Sequence, residues 1–279
     1  MFPRAASTRT LSLRVLVLAM ALYIALALSV VFVLFPAETL SVFTGPTHGL
    51  ATATLVANLI FLVSVVGVVL CLLGGLGGTD IGLRGSDVPL AVVWTAGVWI
   101  AVNAIEATWQ LVADGRVNWS EDWQRFGVAT VLGRLVAQLF GNALYEEILF
   151  RGVLLRQIYW RLEATRLPNL QRVAIAIVVS QTLFAVIHLP ILLRGGISAA
   201  AASAQLPAIF IAGSAFAILY ARSDNLILCV GVHALANTPT LLVADRFNVP
   251  DNLLFVTGTC LVLAALWRKG TMRAKAPPL

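Results

Sequence analysis

Two adjacent glutamates and an arginine lie inside an apolar stretch of the chain, in LYEEILFRGVLLRQ at residues 144–157. Glu147 and Arg151 are four residues apart with the acid first, which is the favourable order for an ion pair along a helix. Glu146 is rotated by about 100° from Glu147 around such a helix, so it has no local partner of this kind. A buried carboxylate without a counter-ion can exchange a proton near neutral pH, as a general base must. The spacing therefore predicts a Glu147–Arg151 pair beside a reactive Glu146.

Two of the three histidines also lie in apolar stretches, His188 in FAVIHLP and His233 in GVHALANTP. Asn237 follows His233 by four residues, so both side chains lie on one helix face, and Phe184 and His188 share a face in the same way. A charged side chain in the middle of a spanning helix costs on the order of 2.5–3.5 kcal/mol on insertion scales. Such residues therefore pair, face the protein interior or line a wet cavity. We predict that these residues meet Glu146 in one functional site.

The composition is that of an integral, multi-pass membrane protein, located in the cell membrane if the source is bacterial. Of the 279 residues 59% are hydrophobic and 11% charged, whereas about a quarter of the residues of a soluble domain are charged. The net charge of +6 does not indicate nucleic acid as a partner, because the basic residues are scattered singly instead of forming a stripe. The three cysteines are also isolated, so neither a disulfide framework nor a zinc ribbon is predicted.

Apolar windows long enough to cross a bilayer recur along the chain and predict an all-α fold, a polytopic membrane bundle of about eight transmembrane helices. The windows are residues 13–35, 51–75, 88–111, 127–157, 173–193, 205–222, 225–244 and 252–268. With the N- and C-termini cytoplasmic, the cytoplasmic segments hold thirteen Arg and Lys residues and the external segments four. Such an excess of positive charge on the cytoplasmic side is the usual bias of membrane proteins.

Two other polar residues of the windows are predicted to be structural. Glu106 lies near the external end of the third window and is expected to reach the membrane interface. Arg134 lies three turns before the two glutamates, and we expect it to bridge to Glu106 or to a carbonyl group.

Three short motifs occur in separate predicted helices: EEILFR reads as EExxxR, FAVIH as FxxxH and HALAN as HxxxN. Together they resemble the CPBP family of intramembrane proteases, which includes the CAAX prenyl endopeptidases of the Rce type and the bacterial Abi-type proteins. The resemblance covers about residues 127–244, the predicted catalytic helical core. Residues 1–126 are then the first three helices with their loops, and residues 245–279 are the last helix and a basic cytoplasmic tail.

The resemblance implies a role for each motif residue. Glu146 and His188 would hold and deprotonate a water molecule that attacks a peptide carbonyl group. His233 and Asn237 would stabilise the tetrahedral oxyanion by donating hydrogen bonds. The supporting residues would be Glu147, Arg151 and Phe184.

The same residues leave open whether a metal ion takes part. One glutamate and two histidines can bind Zn²⁺ and leave a position for water, and the set would be Glu146, His188 and His233. The HExxH helix of soluble zincins is absent, and the family is described both as metalloproteases and as glutamate-dependent proteases. Asn237 is a poor zinc ligand but a good donor to an oxyanion. We therefore favour a metal-free site, with zinc as the alternative.

The predicted function is hydrolysis of a peptide bond in or near the membrane, near the C-terminus of a membrane-associated peptide or protein. A proton-coupled transporter is one alternative, because Glu and His in spans also form proton relays. Transporters commonly contain internal repeats, and none is visible. A non-catalytic membrane scaffold, such as an immunity protein, is the other alternative, and the intact Glu146, His188, His233 and Asn237 argue against it.

Overall fold

A computed structural model describes residues 9–246 and 253–267, and this part of the chain is helical without a named strand. Six helices are long and apolar enough to cross a membrane, and two further apolar helices are shorter. They are α1 (Leu13–Leu34), α2 (Ala53–Leu73), α3 (Gly85–Asp114), α4 (Val128–Ala164), α5 (Asn169–Arg194), α6 (Ala199–Ser223), α7 (Leu226–Asn237) and α8 (Leu253–Leu266). The predicted all-α, multi-pass membrane bundle is confirmed. The cytoplasmic termini stay a prediction, since residues 1–8 and 268–279 lie outside the described residues.

The middle of α4 is the centre of the bundle. Residues 145–157 are all buried, as expected for a helix that is surrounded by other helices instead of facing solvent on one side. Aromatic rings pack around the start of this buried segment. The ring centre of Tyr145 lies 5.3 Å from that of Tyr23 of α1 and 5.1 Å from that of Phe61 of α2. This central position keeps Glu146, Glu147 and Arg151 away from lipid, which explains how the bundle tolerates them.

The prediction for the seventh window, residues 225–244, is wrong at its end, because α7 stops at Asn237. Proline disfavours the α conformation in the preceding residue, and Thr238, before Pro239, has φ −150° and ψ 82°. Residues 238–246, here called the strap, continue without helix.

A polar stripe on α3 binds the main chain of the strap. Its members are spaced by four, three and four residues, which places them on one face of α3; they are Trp99, Asn103, Glu106 and Gln110. The hydrogen bonds run from Trp99 Nε1 to Thr240 O (3.2 Å), from Leu242 N to Asn103 Oδ1 (2.8 Å), from Arg246 N to Glu106 Oε2 (3.1 Å) and from Gln110 Nε2 to Ala244 O (2.8 Å). The stripe therefore fixes the path of the chain directly after α7.

Glu106 is buried, and the prediction that it reaches the membrane interface is wrong. The residue is 0% exposed, and its Oε2 accepts the main-chain N–H of Arg246. Because the strap covers this face of α3 and supplies a donor, the carboxylate is hydrogen-bonded inside the protein. Arg134 places its guanidinium over the ring of Phe126, 4.1 Å from the ring centre.

Candidate active site

The helix that carries the two glutamates begins only four residues before Glu146. The helix Val128–Leu139 ends ahead of Gly141, and a new helix runs over Asn142–Glu147. At Gly141 a side chain would collide with Ala137 O and lie 3.2 Å from Asn58 Cβ of α2. Glycine thus permits close packing at the interruption, which the sequence does not reveal within one apolar window.

The chain continues from Glu147 as a π-helix over Ile148–Leu155, and Arg151 lies in this segment. π-helical segments are rare and occur frequently at functional sites. Glu147 Oε1 lies 3.0 Å from Arg151 Nη1, without the alignment of a hydrogen bond, and both side chains are 0% exposed. The structure therefore contains the ion pair that the spacing predicts.

Arg151 is held between a carbonyl group and two aromatic rings. Its Nη2 donates to Gly213 O of α6 at 3.1 Å. The guanidinium lies over the rings of Phe184 and Phe216, 4.3 and 5.6 Å from their centres. These contacts supply cation–π attraction where water is excluded.

Gly213 is expected to be intolerant of a methyl group. A Cβ there would lie 2.8 Å from Gln181 Oε1, 3.0 Å from Phe184 Cδ1 and 3.3 Å from Arg151 Nη2. Gly213→Ala should therefore destabilise the protein by about 1–3 kcal/mol, because overpacking pushes α6 away from Arg151. Thermal unfolding in detergent would measure this.

The control is Gly97→Ala in α3, since nothing lies within 4 Å of the added methyl group. Its stability should stay within about 1 kcal/mol of the wild type. Equal unfolding temperatures for both variants would contradict the packing argument.

Glu147 also fixes the orientation of His233 on α7. His233 Nδ1 lies 2.8 Å from Glu147 Oε1. A carboxylate can only accept, so Nδ1 carries the proton and donates it. Neutral His233 then presents a lone pair at Nε2, and it can donate from Nε2 only when doubly protonated. The sequence does not predict this contact, since residues 147 and 233 are far apart in the chain.

His233 Nε2 lies 3.6 Å from Glu146 Oε2, which is longer than a hydrogen bond. Glu146 is 7% exposed, and its Oε2 has no hydrogen-bond partner among the described residues. The ring of Phe216 packs on His233, with the ring centres 5.0 Å apart. Glu146 thus faces a histidine without being bound by it, whereas Oε1 of Glu147 contacts both His233 and Arg151.

His188 lies where α5 is interrupted, between the helices Asn169–Val186 and Leu189–Arg194. Pro190 cannot continue the hydrogen-bond ladder, and the His188 main-chain N–H turns to Ala185 O at 3.1 Å. The main-chain N–H of His188 therefore does not bond Phe184 O, as it would in a continuous α-helix. The His188 side chain bonds this oxygen instead, with Nδ1 donating to Phe184 O at 2.7 Å. The Nε2 of neutral His188 is therefore an acceptor.

Phe184 lies between the motif residues. Its ring centre is 4.6 Å from that of His188 and 6.4 Å from that of His233, and the ring also supports Arg151. The first two motifs and the histidine of the third therefore meet around one aromatic ring.

Asn237 is the last residue of α7 and is exposed. Its Nδ2 donates to Gln138 Oε1 at 2.9 Å. From the sequence no role is assigned to Gln138, which is one of several polar residues in the fourth window. The signal that could have singled it out is an uncharged polar side chain two residues before an interruption in a membrane helix.

No group of three His, Cys, Asp or Glu side chains within residues 9–246 and 253–267 could hold a metal ion. The Nδ1 atoms of both intramembrane histidines are engaged by Phe184 O and by Glu147. The zinc set of the alternative mechanism would therefore have to use both Nε2 atoms together with Glu146.

Residues 127–239 match the family model described as type II CAAX prenyl endopeptidase, Rce1-like. This segment is Rce1-like. The match begins at the start of α4 and ends two residues after Asn237, so it contains all three motifs, while α1–α3 lie outside it. The match supports a membrane endopeptidase of the general CAAX-protease type. Comparisons with curated proteins and with solved structures gave no significant match.

Proposed function

We propose that this Rce1-like protein hydrolyses a peptide bond near the C-terminus of a membrane-associated peptide or protein, with Glu146 as the general base. The proposal rests on the difference between the two adjacent glutamates. Glu147 is held through Oε1 by both Arg151 and His233, although its Oε2 has no hydrogen-bond partner, whereas Glu146 is bound by neither of these residues and its Oε2 is buried without a hydrogen-bond partner among the described residues. A carboxylate in this position can take a proton from water.

His188 is the second group that would hold the attacking water. Its neutral ring accepts at Nε2, because Nδ1 donates to Phe184 O. A water molecule that donates one hydrogen to Glu146 and the other to His188 keeps a lone pair free for the substrate carbonyl carbon. Transfer of the first proton to Glu146 completes the attack. When the tetrahedral intermediate collapses and the C–N bond breaks, Glu146 returns this proton to the leaving amine nitrogen.

His233 and Asn237 would stabilise the oxyanion that forms on the carbonyl oxygen. This role requires the doubly protonated ring, in which Nδ1–H is donated to Glu147 and Nε2–H is kept for the oxyanion. The carboxamide of Asn237 adds a second donor, as in other oxyanion holes. Arg151 neutralises the charge of Glu147. The Glu147–Arg151 pair therefore positions His233 without adding a net charge to the site.

The proposal is tested by comparing the C-terminal peptides of membrane-associated proteins by mass spectrometry. One culture expresses the wild type and the other an equally abundant Glu146→Ala variant. Peptides that are truncated only with the wild type would support the protease and identify its substrates. Identical profiles from two folded proteins would overturn it in favour of a scaffold or a proton-coupled transporter.

We further propose that the reaction needs no metal ion. Dialysis of the purified protein against 1,10-phenanthroline is then expected to leave the rate of peptide cleavage unchanged. Loss of the activity, with recovery on adding Zn²⁺ but not Mg²⁺, would instead assign zinc to Glu146, His188 and His233. An unrelated zinc protease in the same dialysis provides the control for chelation.

A further inference from the structure

The side chain of Asn237 lacks the confinement that holds the other motif residues. Glu147 and Arg151 are fully buried and His233 is 6% exposed, whereas Asn237 is exposed. A side chain at a helix end and on the surface can change rotamer freely. A precise donor at this position therefore needs a partner that holds it.

The main chain that directly follows Asn237 is already fixed by the elements around the strap. Trp99 Nε1 of α3 donates to Thr240 O, and Trp123 Nε1 donates to Leu241 O at 2.7 Å. The strap also pairs with residues 118–120, where Ser120 N donates to Leu242 O at 2.9 Å. These contacts leave only the side-chain rotamer of Asn237 free to change.

Gln138 removes this freedom through a direct hydrogen bond. It lies in the last turn of the helix Val128–Leu139, just ahead of the interruption that precedes the glutamates. Gln138 is partly buried, and its Oε1 lies 2.9 Å from Asn237 Nδ2. α7 packs against both this helix and the helix Asn142–Glu147, so the bond joins the two sides of the interruption through α7.

We propose that Gln138 is a positioning residue that holds the carboxamide of Asn237 with one N–H free for the oxyanion. A carboxamide has two N–H groups and a carbonyl oxygen at its other end. When one N–H is bonded to Gln138 Oε1, the second remains available on the same nitrogen. A flipped amide would present Oδ1 instead, and that oxygen repels a negatively charged oxyanion.

This inference rests on the proposed function, and its test separates the two. The variants are Gln138→Met, Asn237→Ala and the double variant, reconstituted in liposomes with an internally quenched peptide that ends in a farnesylated CaaX sequence. Gln138→Met is similar in volume but lacks the acceptor. We expect it to lower kcat about tenfold, a fraction of the 10²–10³-fold lost with a whole oxyanion donor, and to change KM by less than about twofold.

The decisive readout is the double variant. A residue that acts only through Asn237 has nothing left to position once Asn237 is alanine, so Gln138→Met should not lower kcat further in that background. The matched control, Gln124→Met, lies in the short helix Asp122–Arg125 and is exposed; it should leave kcat unchanged.

Each other result overturns a specific statement. Equal losses of kcat from Gln138→Met in both backgrounds would show a general structural role and overturn the positioning role. A wild-type kcat in Asn237→Ala would overturn the oxyanion role of Asn237 and with it the role of Gln138. Absence of cleavage by the wild type would overturn the proposed activity on this peptide, a failure distinct from that of Gln138 alone.

Discussion

Replacing Glu146 by glutamine is expected to lower the rate of peptide cleavage by about 10²–10⁴-fold, the usual contribution of a general base. Glutamine keeps the size of the side chain but cannot take a proton from water. Since Glu146 Oε2 makes no hydrogen bond among the described residues, the fold should not depend on its charge. The measurement is kcat on the farnesylated peptide, together with the unfolding temperature of the same preparation.

A matched control is Glu121→Gln, because Glu121 is exposed and precedes the short helix Asp122–Arg125. Its activity and stability should equal those of the wild type. If Glu146→Gln retained a rate within tenfold of the wild type, Glu146 would not be the base, and the assignment of the two glutamates would have to be reversed.

Replacing Arg151 by methionine is expected to have the largest effect on stability. Arg151 and Glu147 are both 0% exposed, and removal of one partner leaves the other as an uncompensated buried charge. Loss of one partner from a buried ion pair typically costs about 3–5 kcal/mol. Arg151→Met should therefore reduce the yield of folded protein, measured as the unfolding free energy in detergent or as the fraction that is monodisperse on size-exclusion chromatography.

Two further variants test the cause of this loss. Arg246→Met removes an ion pair with Asp114 in which both side chains are substantially exposed, 51% and 35%, so it should cost only about 0–1 kcal/mol. The double variant Glu147→Gln with Arg151→Met should be more stable than Arg151→Met alone, because it leaves no unpaired charge. A double variant as unstable as the single one would show that packing of Arg151 on Phe184 and Phe216, and not its charge, dominates.

Segments outside the Rce1-like match also shape the site. The stripe on α3 anchors the strap behind Asn237, and Tyr23 and Phe61 of α1 and α2 pack on Tyr145, next to Glu146. Gly231, two residues before His233, permits close approach of α3, since a side chain there would collide with Thr95 Oγ1. The first three helices are therefore structural supports of the site as well as membrane spans.

The sequence by itself determined the helical membrane fold and the pairing of Glu147 with Arg151. Both follow from short-range rules, because spans need about twenty apolar residues and an ion pair along a helix needs a spacing of four. The place of Glu146 and of the two intramembrane histidines in apolar helices is likewise visible in the sequence. Their catalytic roles stay predictions.

Only the tertiary structure decided which groups each residue meets. The bond of His233 to Glu147 joins positions 86 apart and that of Asn237 to Gln138 joins positions 99 apart, distances over which periodicity carries no information. The burial of Glu106 depends on the strap lying against α3. The sequence specifies side chains that need partners in a low-dielectric interior, and the packing of the helices selects the partners.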